Sequence, residues 1–126
     1  MRVLYIDDDR INTLLFVEAC RLAGGLHVET AATGAEAMEL APRCQPALLV
    51  IDLHLPDTTG YQLLPALRQL MGKAALPAFL CTADEASLVA APARAAGFDG
   101  CWTKPVDLTE MLSELARRRG AEGSGA

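Results

Sequence analysis

Four apolar segments of the sequence are each followed by side chains that carry charge or donate hydrogen bonds. The unbroken run Leu-Leu-Val-Ile at residues 48–51 ends at one carboxylate, and three consecutive carboxylates follow the first apolar run. The residues concerned are Asp7, Asp8, Asp9, Asp52, Thr82 and Lys104. Clustered carboxylates repel one another unless a cation holds them, and their oxygens suit a hard divalent ion, of which Mg²⁺ fits best. If the four segments end at one place, the sequence predicts an acidic cation site beside a hydroxyl and an ammonium group.

The same side chains suit phosphoryl chemistry. A carboxylate oxygen that is not occupied by the metal can attack phosphorus and form an aspartyl phosphate. Asp52 is the best candidate for this nucleophile because its apolar segment predicts a stiff central strand, whereas Asp7 and Asp8 are better placed as metal anchors. Lys104 can neutralise one phosphoryl oxygen, and the Thr82 hydroxyl can donate to another.

A parallel sheet would bring these residues together. Short apolar runs alternate with longer amphipathic ones, a pattern typical of strands and crossover helices. The predicted strands cover residues 3–6, 27–30, 48–51, 78–81 and 101–103. Right-handed crossovers fold five β-α units into an open α/β structure, a doubly wound parallel sheet with helices on both faces. The carboxyl ends of its strands share one edge, where the candidate residues are then expected to meet.

Caps and breakers predict the helices between these strands. The first helix has apolar side chains at helical spacing and stops at Gly24-Gly25; they are Ile11, Leu14, Leu15, Ala19 and Leu22. The second opens at a capping box that starts with Thr33 and is predicted to end before Pro42. A third runs from about residue 60 to 70. Between residues 84 and 97, Pro92 predicts either a kinked helix or a short one that begins near the proline. The last helix opens at Asp107, and residues 120–126 are predicted to form a flexible tail.

Composition limits the class of protein. The chain has 126 residues, 52% of them hydrophobic, which suits one globular domain over residues 1–119. Its formal net charge of −5 argues against direct binding to nucleic acid. No apolar run is long enough to span a membrane, and no signal peptide is visible. The four cysteines are widely spaced without a CxxC pair, so we expect a protein of the reducing cytoplasm.

Four motifs in fixed order resemble the receiver domain of two-component response regulators. They are DDD at 7–9, IDLHLPDTTG at 51–60, CTAD at 81–84 and TKP at 103–105, and the resemblance spans residues 2–117. It implies a flavodoxin-like fold with five helices and a five-stranded sheet of strand order 2-1-3-4-5. It also implies a cytoplasmic signalling switch that accepts a phosphoryl group on Asp52 from a sensor histidine kinase or a histidine phosphotransfer protein.

The resemblance further implies a Mg²⁺ site. Asp8 and Asp52 would bind the ion directly, Asp7 would act mainly through water, and the main-chain carbonyl of His54 would complete the protein ligands. The domain would catalyse only its own phosphorylation and dephosphorylation and would otherwise not be an enzyme.

The switch itself is implied to depend on Thr82 and Lys104, which would sense the phosphoryl group and change the affinity for a downstream protein. Pro105 would follow the lysine through a cis peptide bond. The chain would act as a monomer or weak dimer. One position departs from the family pattern, because Cys101 stands where receivers usually carry Tyr or Phe. The aromatic rotamer change of the family is therefore not expected here, and Trp102 should face the opposite side of the strand.

Two other functions compete with this interpretation. In a haloacid-dehalogenase-like phosphatase, Asp7 would be the nucleophile and Asp9 the acid of a DxD motif. Arg10 and Ile11 do not continue that motif, and no paired acids follow Lys104. The second alternative is a receiver-like interaction module that is never phosphorylated, which the intact acids, threonine and lysine argue against.

Overall fold

The computed structural model describes the backbone of residues 1–124 and the side chains of residues 1–119. Strands and helices alternate along this part of the chain. The strands are β1 (Arg2–Ile6), β2 (His27–Ala31), β3 (Leu48–Asp52), β4 (Ala78–Thr82) and β5 (Gly100–Thr103). The helices are α1 (Arg10–Ala23), α2 (Gly34–Cys44), α3 (Gly60–Met71), α4 (Ala86–Ala96) and α5 (Leu108–Ser124). All five predicted strands are present, and each is one residue longer than predicted.

The five strands of the described chain form one parallel sheet in the order β2-β1-β3-β4-β5. The flavodoxin-like, doubly wound fold predicted from the sequence is therefore confirmed. Every residue of β3 and β4 is buried, as expected for parallel strands covered on both faces. The chain order reverses between β1 and β3, and sheets of this kind place their functional sites at such a reversal, outside the carboxyl ends of the strands.

Alternation along the strands divides the core into two layers. One face of the sheet packs against α2, α3 and α4, and its strand residues include Leu4, Ile6, Leu49, Ile51 and Leu80. The other face packs against α1 and α5 and includes Val3, Tyr5, Val50, Phe79 and Cys81. Because side chains alternate with a period of two, each strand contributes to both layers.

The prediction for Pro42 was wrong, and so was one of the two alternatives for Pro92, the short helix. Helix α2 does not end before Pro42 but continues to Cys44, and α4 begins at Ala86 rather than near Pro92. Proline removes one helical hydrogen bond and crowds the previous turn. Pro42 and Pro92 both lie on exposed positions of their helices, so water can reach the carbonyl group left without a partner. Packing of the buried faces, which include Ala41 in α2 and Val89 in α4, outweighs the loss.

The apolar residues that predicted α1 lie mostly on its exposed side. Ile11, Leu14, Leu15 and Leu22 are the exposed ones, whereas Phe16 and Cys20 face the core. The helix ends at Ala23 and is capped by Gly24, where the sequence predicted that it stops. A row of exposed aliphatic side chains on one helix is a candidate contact surface.

The C-terminal helix extends past the predicted end of the domain. Helix α5 begins after Asp107, whose carboxylate accepts a hydrogen bond from the Glu110 N–H at 3.1 Å, and it runs to Ser124. It thus includes residues 120–124 of the segment predicted as a flexible tail, and residues 125 and 126 lie outside the described residues. The domain boundary at residue 119 stays a prediction. Within the described chain, no helix combines the length and apolar character needed to cross a membrane.

Candidate functional site

The predicted carboxylates meet at the carboxyl edge of the sheet. Asp7 follows β1 directly, and Asp52 is the last residue of β3, the neighbouring strand. One carboxylate oxygen from each of Asp7, Asp8 and Asp52 lies within 4.8 Å of the others. Asp7 and Asp52 are buried, whereas Asp8 is exposed. Three hard oxygen donors, one of them open to solvent, match the ligand chemistry of a divalent cation such as Mg²⁺.

Lys104 joins the two buried carboxylates. Its ammonium nitrogen lies 3.1 Å from Oδ2 of Asp7 and 3.2 Å from Oδ2 of Asp52. It comes from the loop after β5, where the Lys104–Pro105 peptide bond is cis, as the resemblance implied. The Lys104 main-chain N–H donates to the Thr82 carbonyl at 2.7 Å, which ties this loop to the end of β4. The lysine is thus held in place through its backbone as well as its side chain.

Burial and like charge shift the pKa values of this group. Burial raises the pKa of Asp52, and the neighbouring Asp7 carboxyl raises it further; Lys104 opposes both effects, and the result is a pKa of about 6. Burial lowers the pKa of the Lys104 ammonium, but the hydrogen bonds and charges of Asp7 and Asp52 outweigh it, so its pKa lies above the ordinary value. The lysine stays charged at neutral pH, while Asp52 can still exchange a proton.

Thr82 and His54 occupy the side of the site toward β4 and α4. Thr82 is fully buried, and its hydroxyl oxygen accepts a hydrogen bond from the Asp84 N–H at 3.1 Å. The His54 main-chain N–H donates to Oδ1 of Asp52 at 3.3 Å. The His54 ring nitrogen Nε2 lies 2.8 Å from Oδ2 of Asp84, where the histidine is exposed and the aspartate is half-buried. This contact connects the loop after β3 to the loop after β4 at the edge of the site.

Asp9 belongs to the helix rather than to the cluster. It is the N-cap of α1, and one of its carboxylate oxygens accepts hydrogen bonds from the N–H groups of Ile11 and Asn12. A carboxylate committed to a cap is poorly suited to act as a general acid. This geometry does not favour the dehalogenase-like alternative, in which Asp9 would protonate the leaving group of a phosphate bound to Asp7.

Sequence reasoning missed Tyr5, which is part of the site. Its buried hydroxyl donates to Oδ2 of Asp7 at 3.0 Å, and its ring stacks on Phe16 with centroids 4.4 Å apart. Burial raises the pKa of the phenol far above its ordinary value, and the nearby charges of Cys81, Asp7 and Asp52 raise it further. The available signal was strand alternation, because Asp7 is two residues after Tyr5 and directly follows β1, so extended backbone places both side chains on one face of the sheet.

The prediction that Cys101 and Trp102 face opposite sides of β5 is confirmed. Cys101 is half-buried and packs against the layer that contains α3 and α4, whereas Trp102 packs against the opposite layer. The Trp102 ring stacks on Phe79 with centroids 4.6 Å apart. The tryptophan is therefore a partly buried core residue rather than a free surface contact.

Comparison with known proteins decides the family. The sequence profile described as the response regulator receiver domain matches residues 3–116. The chain belongs to this family. Receiver domains are the phosphorylation-dependent switches of two-component signalling and use Mg²⁺, and the acidic cluster of this receiver domain is compatible with both properties.

Relatives and solved structures agree with this assignment. The receiver domain is 31% identical to the transcriptional regulatory protein PrrA of Mycobacterium leprae, over 99% of this chain and 54% of PrrA. Its structure is similar to that of the chemotaxis response regulator CheY4 of Vibrio cholerae, with a TM-score of 0.83 and 26% identity over 93% of this chain and 97% of that one. It also resembles a LuxR-family two-component response regulator from Aurantimonas sp. SI85-9A1, with a TM-score of 0.81 and 29% identity over 94% and 85% of the two chains. The chain spans about half the length of the curated relatives that it matches first.

Proposed function

We propose that Asp52 accepts a phosphoryl group from a phosphohistidine of a sensor kinase or phosphotransfer protein, and that the modified domain binds a downstream protein with altered affinity. The observation that carries this proposal is the convergence of three carboxylates and one ammonium group at a single edge of the sheet. Three acids beside a single lysine leave excess negative charge, which is costly in a partly buried site without a further cation.

Asp52 is suited to be the nucleophile. Lys104 contacts its Oδ2, and the His54 N–H contacts its Oδ1, so the carboxyl group is fixed from both sides. In the transfer, one Asp52 oxygen attacks phosphorus and a new P–O bond forms as the P–N bond of the donor breaks. The bonding pair returns to the imidazole nitrogen, and the donor leaves as neutral histidine because its other ring nitrogen carries the proton.

The charge balance indicates where Mg²⁺ would bind. The carboxylates of Asp7, Asp8 and Asp52 with the Lys104 ammonium leave two excess negative charges, which one divalent cation balances. We propose Asp8, Asp52 and the main-chain carbonyl of His54 as the direct protein ligands, with Asp7 acting mainly through water. When bound, Mg²⁺ would supply positive charge to the phosphoryl oxygens and reduce their repulsion from the acids.

Thr82 and Lys104 are proposed to convert the new charge into a change of shape. The phosphoryl group carries between one and two negative charges and replaces the single negative charge of the Asp52 carboxylate. Lys104 can neutralise a phosphoryl oxygen. The Thr82 hydroxyl accepts from the Asp84 N–H, which leaves its own proton free to donate to another phosphoryl oxygen. A rotation of Thr82 toward Asp52 would move the loop that joins β4 to α4. The surface formed by this loop and α4 would then shift its equilibrium between two packed arrangements.

The exposed side of α1 is suited to the phosphohistidine donor. Asp52 is only 5% exposed, so a donor must contact the rim of the site to reach it. Asp9 caps α1 at this rim, and the first two turns of the helix expose Ile11, Leu14 and Leu15. An apolar helical surface that continues directly from the reacting group can hold a helical donor protein in place.

Labelling with a small acyl phosphate tests the proposed function. The domain is incubated with acetyl phosphate and Mg²⁺, and the modified residue is identified by intact mass and borohydride trapping. We expect one phosphoryl group on Asp52, none in Asp52→Asn, and normal labelling in the control Asp57→Asn. Label retained by Asp52→Asn would refute the assignment, and label on Asp7 would favour the phosphatase alternative. Absence of any label would favour the non-phosphorylated module.

A further inference from the structure

The buried hydroxyl of Tyr5 has no part in the mechanism described so far. The side chain is 2% exposed, its ring stacks on Phe16, and its hydroxyl donates to Oδ2 of Asp7 at 3.0 Å. An aliphatic residue would fill the same position of β1 without bringing a polar group into the core. The phenol therefore places one hydrogen-bond donor on a carboxylate of the acidic cluster.

Asp7 shares its oxygens among three donors. Oδ1 accepts from the Asp9 N–H at 2.9 Å, and Oδ2 accepts from both the Tyr5 hydroxyl and the Lys104 ammonium. The Asp7 side chain is 1% exposed, so water cannot readily replace a donor that leaves. A buried carboxylate that loses its donor has a large desolvation cost.

Lys104 has to serve two groups during phosphoryl transfer. Its nitrogen is almost equidistant from Asp7 and Asp52, at 3.1 and 3.2 Å. Once the phosphoryl group is on Asp52, the ammonium is needed at a phosphoryl oxygen, and moving there weakens its contact with Asp7. The reaction is therefore easier if another donor remains on the same Asp7 oxygen.

We propose that Tyr5 is a positioning residue whose hydroxyl holds Oδ2 of Asp7 while Lys104 moves from Asp7 to the phosphoryl oxygen, and that it thereby accelerates phosphoryl transfer. This inference rests on the proposed phosphorylation of Asp52. It assigns to the phenol a role that acts through Asp7, without contact with the reacting phosphorus.

Loss of the Tyr5 hydroxyl should affect the rate of phosphoryl transfer and the Mg²⁺ affinity differently. In Tyr5→Phe, Lys104 would be the remaining contact of Oδ2 among the described side chains and would leave Asp7 less readily, which slows transfer. The Asp7 charge would be shared with one donor fewer, so Mg²⁺ affinity should stay the same or increase. A merely structural hydroxyl would behave otherwise, because loosening of the site would weaken metal binding together with the rate.

The test measures both quantities in the same variants. Mg²⁺ affinity is measured by calorimetry and the labelling rate with acetyl phosphate at saturating Mg²⁺, for wild type, Tyr5→Phe and Phe16→Leu. The Phe16 variant weakens the same aromatic stack but keeps the hydroxyl, so it controls for loss of packing. We expect about a tenfold slower rate in Tyr5→Phe with Mg²⁺ affinity unchanged or higher, and Phe16→Leu within twofold of wild type in both.

Each contrary outcome is decisive. A Tyr5→Phe rate within twofold of wild type overturns the inference while leaving phosphorylation of Asp52 intact, and so does a parallel loss of rate and Mg²⁺ affinity. Failure of the wild type to label overturns the proposed function and this inference with it.

A second measurement needs no change at position 5. The sequence has two tyrosines, so tyrosine labelled with ¹³C at the ring carbon that bears the hydroxyl gives two NMR signals, and Tyr61→Phe assigns them. We expect the Tyr5 signal to keep the chemical shift of a hydroxyl bonded to a carboxylate when beryllofluoride is added with Mg²⁺. A shift to the value of a free phenol would overturn the proposal, because the donor would then have left Asp7.

Discussion

Replacing Lys104 with methionine removes the ammonium group between two buried carboxylates and keeps most of the side-chain length. The Lys104 side chain is 15% exposed, and those of Asp7 and Asp52 are 1% and 7% exposed, so solvent screens these pairs weakly. Removing one partner of a buried ion pair leaves an uncompensated charge and typically costs about 3–5 kcal/mol. We therefore expect Lys104→Met to be folded but clearly less stable in the absence of Mg²⁺.

The magnitude at pH 7 follows from two contributions. The variant can avoid a second buried charge by keeping a proton on Asp52, and with a pKa of about 6 this protonation costs about 1.4 kcal/mol at pH 7. Loss of the charged hydrogen bond to Asp7 adds about 2 kcal/mol. The free energy of unfolding should thus fall by about 3 kcal/mol.

The pH dependence has a definite sign. The pKa of Asp52 is raised from 3.8 to about 6 on folding, so its contribution to stability is present below pH 4 and is lost as the pH rises through 6. At pH 5 the Asp52 carboxyl is protonated in wild type and variant alike, so the cost of protonating it no longer separates the two proteins. The difference in the free energy of unfolding between wild type and Lys104→Met should therefore decrease to about 2 kcal/mol at pH 5.

Urea unfolding followed by the fluorescence of Trp102 measures this difference, because the only tryptophan of the sequence is partly buried against Phe79. Lys73→Met, a loss of the same charge at an exposed loop position, is the matched control and should change stability by less than about 0.5 kcal/mol. Saturating Mg²⁺ should recover much of the loss in Lys104→Met. A variant as stable as wild type at pH 7 without Mg²⁺ would refute the view that the amine compensates the buried acids.

Two further predictions concern the metal and the rim of the site. Mg²⁺ binding requires an ionised Asp52, so the Mg²⁺ dissociation constant should rise about tenfold between pH 7 and pH 5, and calorimetry showing equal affinity at both would contradict a metal site that uses this carboxylate. Replacing His54 with alanine removes its 2.8 Å contact with Asp84 and opens the site to water, so the phosphoaspartate should hydrolyse severalfold faster. His27→Ala, at the start of β2, is the matched control, and an equal phosphate lifetime in His54→Ala and wild type would show that this contact does not shield the phosphate.

The strands were predictable because burial leaves a strong pattern in the sequence. Residues 48–51 and 78–81 form continuous apolar runs, and β3 and β4 are buried along their whole length. The ends of these runs coincide with the residues proposed for the chemistry, so the positions of Asp52 and Thr82 followed from the strand assignments. Every strand was predicted one residue too short because a polar or small residue at a strand end can still pair with the neighbouring strand.

Other features depend on tertiary context that one sequence does not reveal. A proline in a helical pattern signals a break, yet Pro42 and Pro92 lie inside helices because the buried faces of α2 and α4 continue past them. The contact between His54 and Asp84 joins two loops that are thirty residues apart in sequence, and no local pattern predicts it. Tyr5 was missed for a different reason, since an aromatic residue in an apolar strand looks like core, and its hydroxyl partner Asp7 lies just beyond the end of β1.

The register of β1 on β3 connects the core of this domain to its chemistry. Ile6 pairs with Ile51, so Asp7 and Asp52 are the residues that follow this pair along two adjacent parallel segments. Because side chains alternate, a slip of one residue would turn Ile51 out of its core layer and carry the Asp52 carboxylate to the other face of the sheet. Every residue of β3 is buried, and such a slip would disturb the packing of both layers at once. The packing of aliphatic side chains therefore keeps the two acids close together, and the Lys104 ammonium between them reduces their repulsion.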